Sequence, residues 1–143
     1  MVSFAVDHSG MTSAGRLGSE LYRFASELAG VDAVGFNCVS GPRHLLKYIQ
    51  TLELSDKPLT VMPNAGYPTV LGRRTVFGGQ PDYFAGQIAQ IVQPGASIVG
   101  GCCGTTPEHI AQTAQALKEP LPKCTVSAPK KLLKPAANAS NSL

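Results

Sequence analysis

The stretch Ile98-Val99-Gly100-Gly101-Cys102-Cys103-Gly104-Thr105-Thr106-Pro107 decides how this chain folds. It is a short apolar run that ends in two glycines, two adjacent cysteines and a helix-start signal. Successive side chains on a strand point to opposite faces, so two neighbouring thiols cannot both enter one apolar core. The pair therefore indicates a strand-to-helix turn at which some chemistry requires both thiols.

A third cysteine, Cys38, lies at the end of a second apolar run, residues 32–38, and a helix start follows it at Pro42. Both cysteine sites therefore fall at a strand-to-helix junction. In a sheet of parallel strands these junctions share one edge, where α/β proteins place their chemistry. We expect the three thiols to converge at that edge.

Four successive strand-helix units are predicted along residues 1–118. We expect strands at residues 1–7, 33–38, 58–62 and 96–100, and helices at residues 19–29, from 42 onward, at 82–92 and at 107–117. Near-continuous apolar strands that alternate with helices predict a parallel sheet with right-handed crossovers. The fold class is α/β, as half of an eight-stranded (β/α) barrel or as a small open sheet.

The sequence also predicts the core face of the first helix, a long loop and the exposure of two histidines. In the first helix, apolar residues at helical spacing are expected to face the core, with Gly30 as the C-cap. A long loop rich in Gly and Arg is expected between residues 66 and 81. His44 and His109 fall in the first turns of helices and are expected to face solvent. The apolar positions of the first helix are Leu21, Phe24, Ala25 and Leu28.

The 143 residues are 43% hydrophobic and 15% charged, which suits one domain with a packed core. We place that domain at residues 1–118. Residues 119–143 are rich in Pro, Lys, Ala, Asn and Ser and are expected to be a disordered tail. Cys124 lies in this tail and is expected to be a bystander.

Charge and hydropathy exclude two classes of partner. Residues 1–118 carry eight Lys/Arg and eight Asp/Glu, so the net charge of +3 comes from the tail. A nucleic-acid surface needs basic residues clustered on a folded face, which argues against such a partner. No apolar run is long enough to cross a bilayer, and the N-terminus lacks signal-peptide features. We expect a cytoplasmic protein without a membrane partner.

Three cysteines at one strand edge suit Zn²⁺, which prefers thiolates in tetrahedral geometry; three protein ligands and one open position are the catalytic arrangement. A substrate thiol in the open position loses its proton. Because three thiolates leave the ion little Lewis acidity, we infer alkylation of a thiolate rather than hydrolysis. Two alternatives remain: buried cysteines acting as small apolar residues, and a redox pair formed by Cys102 and Cys103.

Three segments of the sequence together resemble the homocysteine S-methyltransferase domain. They are Gly35-Phe36-Asn37-Cys38 with Gly41-Pro42, Pro63-Asn64-Ala65-Gly66, and Gly100-Gly101-Cys102-Cys103-Gly104-Thr105-Thr106-Pro107. The resemblance covers about residues 2–118. It implies a (β/α)₈ barrel in which a zinc-bound homocysteine thiolate takes a methyl group from a small-molecule donor to give methionine.

The resemblance also assigns site residues. Cys38, Cys102 and Cys103 match the family's zinc ligands, and Asn64 matches a strand-end position able to offer a weak fourth oxygen ligand. The substrate-pocket candidates are Asn37, Asp7 and Gly101; Asp7 is a candidate because it ends the first strand at the same edge, and an ordinary polar loop residue is the alternative for it. No catalytic residue is expected beyond the zinc ligands.

The chain departs from the family in extent. It resembles the last four units of the barrel, and the family's Asp-Gly element and mid-barrel Glu, which hold the amino acid, have no counterpart here. A half barrel leaves two unpaired strand edges and an uncovered apolar interior, which favour pairing with an N-terminal half barrel or a second copy. The resemblance implies an enzyme by family; the alternative is a non-catalytic zinc or thiol module, or an inactive truncated product. The methyl donor is not assigned.

Overall fold

The computed structural model describes residues 1–66 and 68–118. The tail and Cys124 lie outside the described residues. Strands and helices alternate as predicted, with one additional pair of strands between the third strand and the third helix. The elements are β1 (Val2–Phe4), α1 (Gly18–Glu27), β2 (Val34–Asn37), α2 (Pro42–Ile49), β3 (Leu59–Met62), β4 (Pro68–Leu71), β5 (Arg74–Phe77), α3 (Pro81–Val92), β6 (Ala96–Val99) and α4 (Pro107–Ala116).

The main sheet has four strands in the order β1-β2-β3-β6, and every neighbouring pair is parallel. Parallel neighbours joined through helices confirm the predicted α/β class. The four strand-helix units have the parallel order of part of a (β/α)₈-type barrel. Among the described residues, β1 and β6 each have a strand neighbour on one side only. No helix in this part of the chain is long and apolar enough to cross a membrane.

The core lies between the sheet and its helices. Alternate strand residues enter it, with Val34 and Phe36 from β2 and Leu59 and Val61 from β3 all 2% exposed or less. Phe36 is central, because its ring stacks on that of one tyrosine at 5.8 Å and meets that of another edge-on at 5.1 Å. The two tyrosines are Tyr22 of α1 and Tyr48 of α2, and the apolar residues of α2 and α3 that complete the core are Leu45, Ile49, Phe84, Ile88 and Ile91.

The expected core face of α1 is wrong in part. Phe24 is 62% exposed and Leu28 is 42% exposed, whereas Tyr22 and Ala25 are buried. Tyr22 faces the core because its ring stacks on Phe36 and its hydroxyl lies 3.1 Å from the Ser55 Oγ. The helix also ends early: its C-cap is Leu28, not Gly30.

The predicted loop between residues 66 and 81 contains an antiparallel hairpin, so that prediction was wrong over most of its length. β4 pairs with β5 from Pro68↔Phe77 to Leu71↔Arg74, which leaves a two-residue turn. Gly72 takes the first turn position at φ +65°, where a glycine is favoured in hairpins. The Gly72-Arg73 sequence forms this turn.

The sheet face opposite the helices is less apolar than expected. By strand alternation, Ser3, Gly35, Asn37 and Thr60 point away from the helix-covered core. The Ser3 Oγ donates a hydrogen bond of 2.7 Å to the Asn37 Oδ1 across two strands of this face. Met62 pairs with Asn37 and Ile98 pairs with Thr60, so these two apolar residues share the face, and its lining combines polar, small and apolar side chains.

Candidate metal centre

The residues predicted to meet at one sheet edge do so. Cys38 follows β2, Asn64 follows β3, and the Cys102-Cys103 pair follows β6. Because these strands are parallel neighbours, their carboxyl ends share one edge. Residues that are far apart in sequence are thus close together in space.

The three sulfurs are spaced as one small tetrahedral ion requires. The Sγ atoms of Cys38 and Cys103 lie 3.6 Å apart, those of Cys102 and Cys103 lie 4.0 Å apart, and all three lie within 4.8 Å of one another. Zinc–sulfur bonds of about 2.3 Å in tetrahedral geometry put sulfurs about 3.8 Å apart. The donor set therefore fits Zn²⁺ with little movement. Cys103 is exposed and the other two are half-buried, which leaves one side of the cluster open.

The backbone at Cys38 has an unusual conformation that turns its side chain towards the other two cysteines. Cys38 and Val39 both have left-handed conformations, with φ of 57° and 55°. Residues with a Cβ rarely adopt this region, and a β-branched residue least of all. The Cys38 N–H donates to the Met62 carbonyl at 3.0 Å and so still extends the β2–β3 pairing. The chain therefore turns sharply just beyond the sheet, at the point where the thiol is needed.

The Cys102-Cys103 turn is fastened to the loop after β3 by three hydrogen bonds. The Cys102 N–H donates to the Pro63 carbonyl at 2.8 Å, and the Cys103 N–H donates to the Asn64 Oδ1 at 3.1 Å. The Cys103 carbonyl accepts from the Ala65 N–H at 2.9 Å. Gly104 follows with φ +79°. Both adjacent cysteines thus have fixed backbones beside Cys38.

The thiols of Cys38 and Cys103 differ in pKa. Burial raises the pKa of the Cys38 thiol, but hydrogen bonds from the Val39 N–H, from the other two cysteines and from Asn64 lower it further, so the pKa lies below its usual value. Hydrogen bonds to Cys38 and Cys102 raise the pKa of the Cys103 thiol to about 11. Of these two thiols in the metal-free cluster, Cys38 therefore ionises at the lower pH. A divalent cation would displace the remaining protons.

Asn64 has a defined place in the cluster. Its side chain is 4% exposed; the Oδ1 accepts from the Cys103 N–H, and the amide also hydrogen-bonds the Cys38 thiol. It thus spans two of the three cysteines. Its oxygen is engaged in this arrangement, and its service as a weak fourth ligand stays a prediction.

The three substrate-pocket candidates lie at or near the same edge. The Asp7 Oδ1 accepts from the Ser9 Oγ, the Ser9 N–H and the Met11 N–H, and these bonds, the Ser9 side chain first, lower the pKa of the Asp7 carboxyl. Asn37 ends β2 and accepts from Ser3. Gly101 directly precedes the paired cysteines. Their contact with a substrate stays a prediction.

His109 was expected to face solvent, and that was wrong. It is 4% exposed, with its Nδ1 2.8 Å from the Thr106 Oγ1 and its Nε2 3.0 Å from the Gly79 carbonyl. The signal for its burial was its spacing, because Thr106 is the N-cap of α4 and His109 is the third helical residue, as in a capping box. His44 is half-buried, with its ring 6.4 Å from that of His8.

A cavity of about 780 Å³ lies away from the cysteines. It is formed by α1 and by residues 52–57, which precede β3 and so lie at the opposite edge of the sheet. Charged side chains line it on both sides: Glu20, Arg23, Glu27, Glu53, Asp56 and Lys57. Its place in the fold separates it from the thiol cluster.

Fold and site together define a class: α/β proteins of parallel strand-helix units in which three cysteines that could hold a metal ion meet at the carboxyl ends of the strands. Residues 1–117 match the homocysteine S-methyltransferase family, and the chain belongs to that family. It is 42% identical over 105 residues to a methionine synthase of Mycobacterium leprae (strain TN) and 41% identical over 105 residues to one of Mycobacterium tuberculosis (strain ATCC 25618 / H37Rv).

A solved structure shows the same fold. The homocysteine methyltransferase MmuM from Escherichia coli, in an oxidized form, matches with a TM-score of 0.59 and 30% identity, over 81% of this chain and 34% of that one. The two methionine synthase alignments cover 71% of this chain but only 9% of each methionine synthase. It thus corresponds to a limited part of its relatives.

Proposed function

We propose that this chain supplies the zinc-binding part of a homocysteine S-methyltransferase, which activates the homocysteine thiol for methyl transfer to give methionine. The observation that carries the proposal is the spacing of three sulfurs, 3.6 and 4.0 Å for two pairs and within 4.8 Å for all, at the carboxyl ends of parallel strands. Family membership supplies the reaction class.

Zn²⁺ held by Cys38, Cys102 and Cys103 would supply one open coordination position in which a substrate thiol loses its proton and stays nucleophilic. The protein's own part is to hold the three sulfurs on one side. The exposure of Cys103 leaves the approach of homocysteine and of a small-molecule methyl donor open on the other. During transfer the sulfur–methyl bond forms as the bond from methyl to donor breaks, and the bonding electrons leave with the donor.

Asn64 holds the backbone and the thiol of two different ligands and would keep them in place as substrate enters. We assign Asn37, Asp7 and Gly101 to the walls of the homocysteine pocket because they lie at or beside this edge. Of the three, Asp7 would have to release bonds to Ser9 and Met11 before its carboxylate could bind the substrate.

The complete pocket needs a partner. Within the described residues, the main sheet has four strands, and β1 and β6 each lack a second neighbour. We propose that an N-terminal half barrel, or a second copy of this chain, covers these edges, in the cytoplasm, where thiols stay reduced. The unpaired edges equally favour a second candidate function, a zinc or thiol module that binds metal without catalysis.

Methionine formation from homocysteine separates the two candidates. The zinc-loaded chain, alone and mixed with an N-terminal half barrel from the E. coli relative, is assayed with several chemical classes of methyl donor. We expect about one zinc per chain, methionine formation in the mixture, and loss of both in Cys102→Ser. Cys124→Ser is the matched control and should change neither. Zinc binding without methionine from any donor would establish the non-catalytic module instead.

A further inference from the structure

His109 makes a set of contacts that no part of the proposed chemistry uses. The Thr106 N–H lies 3.2 Å from the His109 Nδ1, and the Thr106 Oγ1 lies 2.8 Å from the same atom. A backbone N–H can only donate, so Nδ1 must accept. The proton of the neutral ring is then on Nε2, which donates to the Gly79 carbonyl at 3.0 Å. Both ring nitrogens are satisfied in this one tautomer.

The ring connects two segments far apart in sequence. Thr106 ends the turn that carries the paired cysteines, whereas Gly79 lies between β5 and α3. The ring plane stands at 81° to that of Phe84, with centroids 5.4 Å apart, so α3 fixes its orientation as well. His109 therefore joins the start of α4 to the segment before α3.

Gly79 in turn lies directly on the loop behind the cysteines. A Cβ placed on Gly79 would overlap the carbonyl of Ala65, so the two backbones are in close contact. Ala65 donates to the Cys103 carbonyl at 2.9 Å, and its neighbour Asn64 accepts from the Cys103 N–H. These contacts form a closed circuit. The chain connects Cys103 to His109, His109 bonds Gly79, Gly79 contacts Ala65, and Ala65 bonds Cys103.

We propose that His109 is a positioning residue for the thiol cluster. By tying the end of the Cys102-Cys103 turn to Gly79, it presses the Ala65 loop against Cys103 and holds that sulfur at ligand distance from Cys38. The role in metal binding rests on the proposed function, whereas the role in ordering the turn does not.

The first test needs no metal. Amide hydrogen exchange is measured for the metal-free protein and for His109→Leu, which fills the site with an apolar side chain and removes the hydrogen bonds of both ring nitrogens. We expect faster exchange at the Cys103 and Ala65 amides, by about fivefold if the local stability falls by the net contribution of one hydrogen bond. Thr113→Val is the matched control. It removes the 2.8 Å bond from the Thr113 Oγ1 to the His109 carbonyl, one turn further along α4, and should leave these two amides unchanged.

The second test uses the metal. Zinc affinity by chelator competition should fall about tenfold in His109→Leu, since partners outside the ligand shell typically contribute that much or more. In a Co²⁺ titration, the intense visible bands of tetrahedral thiolate coordination should reach half their full intensity at about tenfold higher free Co²⁺ than in wild type. His109→Asn, which keeps an acceptor near the Nδ1 position but loses the bond to the Gly79 carbonyl, should remain impaired in both measurements, and it replaces His109→Leu if that variant does not fold.

The outcomes are separable. Unchanged exchange at Cys103 and Ala65 in a folded His109 variant would overturn the positioning role. A wild-type protein that binds no zinc or cobalt would overturn the proposed function, while faster exchange in the variant would still support the role of His109 in ordering the turn.

Discussion

At the residue scale, the turn after β2 shows how the fold places a thiol where the sheet alone would not. Cys38 and Val39 are both left-handed, a conformation that costs on the order of 1–3 kcal/mol per residue. The segment tolerates this because it is anchored on both sides: Met62 accepts from the Cys38 N–H, and the buried Ser40 Oγ donates to the Val6 carbonyl at 2.9 Å. The strain is confined to the two residues that turn the cysteine towards its partners.

Alkylation of the metal-free protein should reveal the unequal thiols. Thiolate is the reactive form, so a pKa below the usual value makes Cys38 react at lower pH than an ordinary cysteine. The rate at Cys103 should rise only as the pH approaches its pKa of about 11. The measurement is iodoacetamide labelling against pH, with each site followed by peptide mass spectrometry.

Cys103 is the more exposed of the two, so simple accessibility predicts the reverse order. Labelling of Cys103 ahead of Cys38 across the pH range would therefore contradict the hydrogen-bonded arrangement of the cluster. Cys124, in the same reaction mixture, provides an internal comparison. Added zinc should protect Cys38, Cys102 and Cys103 and leave Cys124 reactive.

How much of the site the sequence could reveal depends on the kind of contact. The convergence of Cys38, Cys102 and Cys103 was predictable, because parallel strands bring their carboxyl ends together whatever the details. The role of His109 was not predicted, because its Nε2 partner is a backbone carbonyl 30 positions earlier. Only its spacing from Thr106 gave a local signal.

At the scale of elements, α1 shows why spacing alone does not choose a buried face. Leu21, Phe24 and Leu28 are as regularly spaced as the residues that are in fact buried, Tyr22 and Ala25. The choice follows from the tertiary partners of Tyr22, since Phe36 stacks on its ring and Ser55 bonds its hydroxyl. Neither partner is near α1 in sequence.

Substitutions on the two faces of α1 should differ sharply in stability. Tyr22→Ala removes a ring that is 1% exposed and should lower the free energy of unfolding by about 3–5 kcal/mol. Phe24→Ala, at 62% exposure, should change it by less than about 0.5 kcal/mol. Urea unfolding followed by circular dichroism, on dilute protein, measures both. An equal loss in the two variants would mean that α1 is rotated from the position described.

The hairpin β4–β5 was not predictable from the sequence pattern. Each of its strands has four residues, and a two-residue turn of Gly72 and Arg73 joins them. The main-sheet strands are no longer, with three or four residues each, but each is an apolar run that belongs to a strand-helix unit. The hairpin strands have no helix between them, so nothing distinguishes them from a loop that contains glycine and arginine.

At the scale of the whole molecule, exposed apolar side chains occur next to the open strands. Met1 and Phe24, beside β1 and on α1, are 65% and 62% exposed; Ile98 on β6 and Ile110 on α4 are 38% and 45% exposed. In a closed barrel the outer strands and their helices meet further units, so we expect these side chains to pack against such units. Unpaired parallel edges with adjacent apolar residues favour association.

We therefore expect the chain to associate through these two edges. Sedimentation velocity at rising protein concentration should give species heavier than the 14.9 kDa of one chain. The pair Phe24→Ser and Ile110→Ser should shift the equilibrium towards monomer, because each removes apolar area beside an open edge. The pair Val70→Ser and Leu71→Ser is the matched control: both residues are at least 64% exposed, but they lie on the hairpin and not on the main sheet. If the control pair abolishes association as effectively, the copies are held together by general apolar exposure and not by edge pairing. If the wild-type protein stays monomeric at every concentration, the open edges do not self-associate, and an N-terminal half barrel is the remaining candidate partner.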